Sequence, residues 1–332
     1  MSAMEAPVQP ATPTRPAFDL FEGFMTSHVL AGLEMAGLLP DLEEAGVRPA
    51  SRTEEDALVD ASLRYLAQRG LAEEEAGAYR LTELGRSVCR DKGYIVWLVG
   101  GYGETLRHLD SFLLGRERYG ADVERDGRWV AGGAALLGRN DVVPPALELL
   151  ERISFRRVLD LGCGNGRFLV NVCRRFGCVG VGVDISPEAC EEAVRGVEEA
   201  GLSERVGIVC DDAFDVSAIP ELGATDLVIA FFLLHEISSR GREDVVGFLA
   251  ELARRLPKGA HLLAAEVPPP KEDADEPELF TPEFGLVHSI MRQSLLTREE
   301  WREVLEAGGF AVREIADSSM PGGMLILAET PS

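Results

Sequence analysis

The sequence predicts an α/β protein: a doubly wound sheet with an antiparallel last strand, preceded by a mostly helical domain with a winged-helix-like outline. Three observations favour this fold class. From Arg157 onward, short apolar strands alternate with helical patterns, as in a parallel sheet. The closing apolar segments 310–315 and 323–327 are joined by a turn too short for a crossover helix, so they must pair antiparallel. Before residue 93, helical patterns are followed by two short extended segments around Gly77.

The composition is that of an acidic globular protein. The chain has 332 residues with 33 Lys and Arg against 56 Asp and Glu, a formal net charge of −23, and 46% of its residues are hydrophobic. Nucleic-acid affinity comes mainly from basic residues, so no nucleic-acid partner is expected. The longest uninterrupted apolar run, 227–234, is far shorter than the roughly 18 residues that span a membrane, so no membrane partner is expected either.

The start of the chain and its cysteines indicate where the protein resides. The first 18 residues lack the basic start and the apolar stretch of a secretory signal. Residues 1–17 are predicted to be a disordered lead-in. The six cysteines form no C-x-x-C pair and show no disulfide-like spacing. We therefore expect a reduced, cytoplasmic protein.

The N-terminal domain is predicted to cover residues 18–92. An apolar helix over 18–39, ended by Gly37 and Pro40, is followed by a helix over 53–69 and then by the hairpin. This outline is typical of winged-helix DNA-binding domains, but the segment is rich in acids and has no basic recognition face. The first helix is apolar around most of its circumference, so we expect this domain to serve in dimerisation.

A helical linker and substrate lid is predicted over residues 93–153. Its helices are expected to be interrupted by the glycine-rich stretch 93–103 and by the polar segment 115–127, and its last helix starts at Pro144. The sheet domain is predicted to follow over residues 154–332.

The elements of the sheet domain follow from its apolar runs and caps. Ser186 is the predicted cap of one helix, and Thr297 with Glu300 forms the predicted capping box of another. The predicted strands before the closing pair are 158–161, 179–183, 206–209, 227–232 and 261–265, and the predicted helices are 167–176, 187–200, 243–256 and 297–306.

One strand of this domain ends in a glycine-rich loop. Residues 158–166 read Val-Leu-Asp-Leu-Gly-Cys-Gly-Asn-Gly, and the three glycines let a ligand approach the backbone closely. The dinucleotide fingerprint of NAD proteins usually has apolar residues where this strand carries Asp160. A second acid, Asp184, ends the next strand, where a carboxylate accepts hydrogen bonds from ribose hydroxyls. The loop and the two acids together predict a cofactor that contains a ribose.

With these residues, the sequence resembles the class I S-adenosylmethionine-dependent methyltransferases over roughly residues 150–330, and the Rossmann-like sheet of that family has an antiparallel last strand. The resemblance implies S-adenosylmethionine as the cofactor. It implies that the glycine loop holds the methionine part, that Asp184 binds the ribose and that Asp212 flanks the adenine, with Asp211 as the alternative acid. The implied cofactor-binding residues are Asp160, Gly162, Gly164, Gly166, Asp184, Asp212, Ala213 and Phe231.

Two histidines follow strands of the sheet. His235 comes at the exit of the fourth strand, and His288 lies in the insertion after Glu266, which follows the fifth. Ligands of such sheets bind at the carboxyl ends of the strands. We therefore expect both side chains to face one substrate pocket, with structural packing as the alternative. The remaining histidines have ordinary positions in helices or at a strand start; they are His28, His108 and His261.

The chain also resembles the small-molecule, O-methyltransferase-like branch of the family, through its N-terminal helical domain and its ending from Leu296 to Phe310. This resemblance implies a homodimer and a small-molecule substrate of natural product biosynthesis. Within the branch, His235 paired with His288 in a Phe-Gly-x-x-His context is similar to the α-keto acid C-methyltransferases of antibiotic pathways. Those enzymes hold a metal on two histidines, which implies a divalent or ferric ion on His235 and His288.

Two mechanisms stay open on the sequence alone. If the nucleophile is an enolate carbon, a metal on His235 and His288 acts as a Lewis acid that lowers the cost of enolisation. If it is a hydroxyl or carboxylate oxygen, no metal is needed, and His235 acts as a general base or orients the substrate. Glu236, a candidate catalytic residue beside the histidines, and Glu266 are each a candidate third ligand, base or orienting group.

Two classes of protein that are not methyltransferases are weaker alternatives. A winged-helix regulator needs a basic face, which the sequence lacks. A non-catalytic partner protein needs no polar residues at the crevice, whereas this chain places His235, Glu236 and His288 there.

Overall fold

The computed structural model describes residues 15–50, 53–217, 219, 221–238, 241–271 and 278–331. Their contacts divide the chain into two units. The first comprises the described residues up to Gly103 together with Asp126–Gly133, and the second comprises Glu104–Arg125 together with the described residues from Ala134 onward. These limits differ from the predicted domain boundaries, which come after residues 92 and 153.

The first unit begins with an apolar helix. Helix α1 spans Pro16–Met35, so the end of the predicted lead-in is helical, and residues 1–14 lie outside the described part of the chain. Gly37 then adopts a left-handed φ of 73°, and α2 spans Leu38–Glu44. The prediction that Pro40 helps to end the first helix was wrong. This proline lies in the first turn of α2, where a missing backbone N–H loses no partner.

A third helix and a hairpin complete the predicted winged-helix-like outline. Helix α3 spans Glu54–Gln68 and starts at a capping box formed by Thr53 and Asp56. Strands β1 (Ala72–Glu75) and β2 (Ala78–Leu81) pair antiparallel.

The glycine-rich stretch is helical, contrary to the prediction that it interrupts the helices. A β-carbon on Gly101 would lie 2.6 Å from Val130 Cγ2, and one on Gly133 would lie 2.5 Å from the backbone nitrogen of Trp97. These glycines therefore allow close packing within the first unit and do not mark turns. The helical segments are α4 (Glu83–Arg90), α5 (Lys92–Ile95), a π-helical turn (Val96–Gly101) and α6 (Tyr102–Arg107).

Three further helices follow before the sheet. They are α7 (Leu109–Leu113), α8 (Gly127–Asp141) and α9 (Val143–Leu150). The polar segment between α7 and α8 contains no helix, as predicted.

The second unit is built on one seven-stranded sheet. Its strands are β3 (Arg157–Leu161), β4 (Val179–Asp184), β5 (Val206–Cys210), β6 (Leu227–Phe231), β7 (His261–Glu266), β8 (Ala311–Asp317) and β9 (Met324–Glu329). They lie in the order β5-β4-β3-β6-β7-β9-β8. The first five strands pair parallel, while β9 pairs antiparallel with both β7 and β8. The predicted fold class and its antiparallel last strands are confirmed.

The helices of this unit include two that were not predicted. Helices α10 to α15 span Arg167–Phe176, Pro187–Glu199, Leu234–Ser238, Arg242–Arg255, Thr281–Ile290 and Arg298–Ala307. The short helix α12 directly after β6 and helix α14 in the insertion after β7 have no counterpart in the sequence prediction. Both predicted caps are present: Ser186 caps α11, and Thr297 with Glu300 forms the capping box of α15.

The strand order reverses between β3 and β6, which creates a crevice at the carboxyl ends of the strands. Below the crevice, Leu159, Val228 and Leu263 are buried at the middle of the sheet. Among the described residues, no helix is both long enough and apolar enough to cross a bilayer.

Candidate active site

The glycine loop joins β3 to α10. Gly162, Gly164 and Gly166 have φ values of 69°, 53° and 71°, a left-handed conformation that side chains rarely adopt. A β-carbon on Gly162 would lie 3.2 Å from Leu233 Cδ1, and one on Gly166 would lie 3.0 Å from Ala193 Cβ. A β-carbon on Gly164 would meet no described protein atom within 4 Å. Gly164 therefore faces the open side of the loop, where a ligand can approach the backbone.

Asp184 is held at the end of β4 by two backbone hydrogen bonds. Its Oδ2 accepts from the N–H of Gly164 at 2.8 Å, and its Oδ1 accepts from the N–H of Ser186 at 2.9 Å. The first of these bonds connects the acid to the glycine loop, which follows the neighbouring strand β3. The two parts of the predicted cofactor motif are thus in direct contact.

Asp160 lies in β3, just before the glycine loop. The residue is 4% exposed, and burial together with the charge of Asp184 raises the pKa of its carboxyl to about 8. Because both effects disfavour the ionised form, a cationic ligand beside this carboxyl would favour it again. The predicted cofactor carries two cationic groups, an ammonium and a sulfonium.

The acids predicted to face the adenine lie after β5. Asp211 Oδ1 accepts from the N–H of Asp212 at 2.8 Å, and Asp212 Oδ1 accepts from the N–H of Phe214 at 2.9 Å. Ala213, which directly follows Asp212, is buried. Both acids make local turn bonds of the same kind, so the choice between them stays a prediction.

Two apolar side chains lie at the carboxyl ends of β4 and β6. Phe231, the last residue of β6, packs against Phe168 with the ring centroids 4.8 Å apart. Ile185 directly follows Asp184 and is 71% exposed. No pattern in the sequence marks Ile185 as a site residue. An exposed isoleucine beside this acid is suited to pack against a flat ring.

His235 forms a buried pair with Glu266. The histidine is the second residue of α12, and its Nδ1 lies 2.7 Å from Glu266 Oε2. The other carboxylate oxygen, Oε1, accepts from the backbone N–H of Leu234 at 3.0 Å. His235 is 4% exposed and Glu266 is fully buried. The carboxylate at the end of β7 therefore both caps α12 and orients the imidazole.

The electrostatics of this pair make His235 more basic than an ordinary histidine. Burial alone would lower the pKa of His235, but the charge of Glu266 and its hydrogen bond oppose burial, and the net shift of the pKa is upward. With Glu266 ionised, Nδ1 carries the hydrogen that it donates. The lone pair of neutral His235 is then on Nε2, the ring nitrogen that can take up a proton.

The structure places the ring of His288 next to that of His235. The ring centroids are 4.9 Å apart and the planes are inclined by 78°. His288 Nδ1 donates to the backbone oxygen of Phe284 at 2.7 Å, and the ring stacks on the Phe284 ring with centroids 3.9 Å apart. Burial, with the neighbouring His235 as the next cause, lowers the pKa of His288 to about 3. His288 is therefore neutral at physiological pH and presents Nε2 as an acceptor or ligand atom.

The predicted metal residues form a pair and not a larger cluster. Among the described residues, no group of three or more His, Cys, Asp or Glu side chains could hold a metal ion. The two rings still suit one ion chemically: both are imidazoles with Nδ1 bonded elsewhere, and His235 has the carboxylate partner that metal-bound histidines commonly have.

Glu236, the third predicted catalytic residue, is bracketed by two donors. Arg125 Nη2 donates to Glu236 Oε1 at 2.7 Å, and Gln293 Nε2 donates to Glu236 Oε2 at 3.2 Å. Arg125 thus binds the residue next to His235, and its positive charge lowers the pKa of both histidines, though less than the causes given above.

Arg125 and Gln293 were not predicted from the sequence. Arg125 belongs to the polar segment before α8, and Gln293 follows α14, so neither has a periodicity or a spacing that marks it. The other three histidines lie apart from this pair. His28 Nδ1 donates to the Phe24 carbonyl oxygen of its own helix, His108 lies between Glu104 and Glu117, and His261 is the first residue of β7.

Comparison with known proteins gives three kinds of match. The sequence profile of a methyltransferase domain matches residues 158–259. Indolepyruvate C-methyltransferase of Streptomyces griseus is 27% identical to the chain over 312 residues, which covers 91% of each protein. 2-Ketoarginine methyltransferase of Streptomyces arginensis is 30% identical over 273 residues, which covers 77% of this chain and 75% of the relative.

A solved structure has the same fold along almost the whole chain. It belongs to an O-methyltransferase family protein from Burkholderia thailandensis, with a TM-score of 0.66 and 19% sequence identity. The superposition covers 96% of this chain and 99% of that one.

Proposed function

Because the chain belongs to the class I S-adenosylmethionine-dependent methyltransferases, we propose that it transfers the methyl group of this cofactor to C3 of an α-keto acid. The protein is a methyltransferase that uses S-adenosylmethionine and acts on a small molecule; the keto acid is the proposed part. The names of both relatives specify keto acids, indolepyruvate and 2-ketoarginine. The observation that carries the proposal is the buried His235–Glu266 pair beside His288.

We assign the cofactor to the glycine loop and the acids around it. Asp160 supports this assignment because its ionised form needs a nearby cation. Asp184 supports it because two backbone N–H groups fix its carboxylate where the ribose would lie. The proposed cofactor-binding residues are Asp160, Gly162, Gly164, Gly166, Asp184, Asp212, Ala213 and Phe231.

In the proposed reaction His235 is the base. The Nδ1–H donates to Glu266, and the lone pair of Nε2 takes a proton from C3 of the keto acid. The electron pair of the broken C3–H bond forms the C3–methyl bond while the sulfur–methyl bond breaks. The products are the 3-methylated keto acid, S-adenosylhomocysteine and a proton on His235, which Glu266 stabilises. A base positioned in this way contributes about 10²–10⁴-fold to the rate.

Arg125 is the proposed partner of the substrate carboxylate. A guanidinium has five N–H donors in a planar fork that suits a carboxylate; in Arg125, Nη2 donates to Glu236 Oε1 and Nη1 lies 3.7 Å from Met291 Sδ, a weak acceptor that a carboxylate could replace. The charge of Arg125 acts on both histidines, so a carboxylate bound to it would bring the reacting carbon near them. Holding the keto acid and the methyl donor next to each other in this way lowers the activation barrier by several kcal/mol.

A metal-assisted form of the same reaction uses His235 and His288 as ligands. A divalent or ferric ion held by these two imidazoles would act as a Lewis acid and lower the cost of enolisation. In this form Glu266 would orient His235 as a metal ligand, whereas in the metal-free form it orients His235 as the base. Elemental analysis of the purified protein and inhibition by chelators distinguish the two forms.

The same histidine–carboxylate pair favours a second candidate, metal-free O-methylation. A hydroxyl is more acidic than a C–H group, so His235 with Glu266 can remove its proton without a metal. A carboxylate oxygen needs only desolvation and orientation. His235 is then the base or the orienting group.

The test is incubation with S-adenosylmethionine that carries ¹³C in its methyl group, together with a panel of keto acids, carboxylic acids and phenols. Carbon NMR separates a methyl bonded to carbon from a methoxy group. A methyl on C3 of a keto acid is the expected result. A methoxy product contradicts C-methylation and supports the second candidate.

We also propose that the protein is a homodimer that pairs through α1. Four large apolar side chains of this helix are more than half exposed in the single chain: Phe18, Leu20, Phe21 and Phe24. A second copy of the chain would bury this face, as the family resemblance implies. Light scattering at micromolar concentration should give twice the mass of one chain. The double variant Phe21→Asp, Phe24→Asp should give the mass of a single chain.

A further inference from the structure

Gln293 is bonded to both of the helices that carry the histidines. Its backbone N–H donates to the carbonyl oxygen of His288 at 2.9 Å. Its side-chain Nε2 donates to Glu236 Oε2 at 3.2 Å, and Glu236 directly follows His235 on α12. One residue thus connects the end of α14 to α12, the helix that carries His235.

A strained turn places Gln293 there. Helix α14 ends at Ile290, and Arg292 adopts a left-handed φ of 58°, which costs a non-glycine residue about 1–2 kcal/mol. This turn is what directs the Gln293 N–H back to the His288 carbonyl. A parallel link follows at the next residue, where the carbonyl oxygen of Ser294 lies 2.5 Å from Ser238 Oγ. Backbone strain that persists beside a candidate active site is typical of functional positions.

The other end of the Gln293 amide has no such bond. Its Oε1 is buried, and no described residue supplies it with a hydrogen-bond partner. Exchanging the amide oxygen and nitrogen would not help, because it would turn the carbonyl toward the Glu236 carboxylate, and both groups are acceptors. An unpaired buried acceptor lowers stability. A leucine of similar size would avoid this cost but would lose the hydrogen bond to Glu236, so that bond is what the glutamine contributes at this position.

We propose that Gln293 is a positioning residue for the substrate carboxylate. Gln293 holds one oxygen of Glu236, and Glu236 holds Arg125 with its other oxygen. The orientation of the guanidinium therefore depends on an amide that does not touch the substrate. This inference rests on the proposed function, in which Arg125 binds the carboxylate of a keto acid.

The experiment compares Gln293→Leu with wild type on a keto acid and on the methyl ester of the same acid. We expect KM for the acid to rise about tenfold, with kcat within twofold, because the variant loosens binding and leaves the base in place. The preference for the acid over the ester should fall by a similar factor. The dissociation constant of S-adenosylmethionine should not change, and the unfolding midpoint should change little, because the variant removes the unpaired Oε1 acceptor together with the Nε2 hydrogen bond to Glu236.

Two controls make the result specific to this chain of contacts. Gln68→Leu is the same change at the exposed end of α3 and should leave every parameter unchanged. In the Arg125→Gln background, adding Gln293→Leu should have no further effect on KM if the glutamine acts through Arg125.

The role of Gln293 and the methylation of a keto acid are tested by different outcomes. A lower unfolding midpoint with unchanged KM and unchanged acid preference makes Gln293 a structural residue and overturns the inference. Fully additive effects of Gln293→Leu and Arg125→Gln also overturn it. A wild type that binds S-adenosylmethionine but methylates no keto acid contradicts the proposed function itself, which is a separate result.

Discussion

The glycine loop and the histidine pair are held in place by different means. The loop takes left-handed backbone conformations, and Asp184 beside it is fixed by backbone N–H groups. His235 instead depends on the side chain of Glu266, 31 positions away, and its ring meets that of His288 across two helices. A site built from backbone conformation leaves a pattern of glycines in the sequence, whereas a site built from side-chain pairs does not.

The largest expected effect concerns the backbone-built site. Gly164→Val should abolish binding of S-adenosylmethionine, because its β-carbon would occupy the open side of the loop where the cofactor approaches. Asp184→Ala should weaken binding by about 1–3 kcal/mol, the scale of a hydrogen bond to a charged group. Calorimetry measures both.

Gly177→Val is the matched control for Gly164→Val. Gly177 also has a left-handed φ, 70°, and a β-carbon there would meet no described atom within 4 Å, but it lies at the far end of α10. This variant should lose stability and keep its cofactor affinity. Unchanged affinity in Gly164→Val would remove the loop from the cofactor site.

The next largest effect concerns the side-chain-built site. His235→Ala should lower kcat by about two to four decades if the histidine is a base, and chelators should then not inhibit the wild type. If the two histidines hold a metal, either His235→Ala or His288→Ala should remove it together with activity, and chelators should inhibit. His28→Ala, in the first unit, is the control. Full activity of the double alanine variant would return both histidines to a packing role.

The contrast between the two sites also explains what the sequence could predict. The strands, the caps at Ser186 and Thr297 and the glycine loop are local patterns, and the structure contains them. The predictions for Pro40 and for the glycine-rich stretch were wrong for a physical reason. Proline occurs in the first turn of helices as well as after their ends, and glycine allows close packing of helices as well as turns. Arg125 could not be predicted because it lies in the polar segment before α8, which has no periodicity, and its bond to Glu236 depends on the tertiary structure.

A third prediction sharpens the comparison through pH. Burial and Asp184 raise the pKa of Asp160 to about 8, and a bound cation would lower that pKa. Binding of S-adenosylmethionine should therefore release a proton below pH 8. Affinity should therefore rise with pH, by up to about tenfold per unit, and level off above pH 8. Calorimetry in two buffers with different ionisation enthalpies measures the released proton. No dependence on the buffer would contradict the prediction.

The same acid should make the empty protein less stable at high pH. The unfolded chain ionises Asp160 near its ordinary pKa of about 3.9, whereas the folded chain holds the proton up to about 8. Between these values the folded state binds more protons, so the free energy of unfolding falls as the pH rises. Asp160→Asn should thus unfold at a higher temperature than wild type at pH 8 and bind the cofactor more weakly. A lower unfolding midpoint for this variant at pH 8 would contradict the prediction that burial of Asp160 lowers the stability of the folded protein.

The smallest expected effect tests whether the cofactor site depends on backbone groups alone. Ser186 Oγ accepts from the N–H of Ala189 and caps α11, while the backbone N–H of Ser186 donates to Asp184. Ser186→Ala removes the cap and keeps the backbone bond. It should cost about 1 kcal/mol of unfolding free energy, as should Thr297→Ala at the start of α15, and neither variant should change the affinity for S-adenosylmethionine by more than about twofold. Ser186→Ala could instead lower the affinity for S-adenosylmethionine while Thr297→Ala leaves it unchanged. In that case the position of Asp184 depends on the Ser186 side chain. The cofactor site would then rely on side-chain contacts, as the histidine pair does.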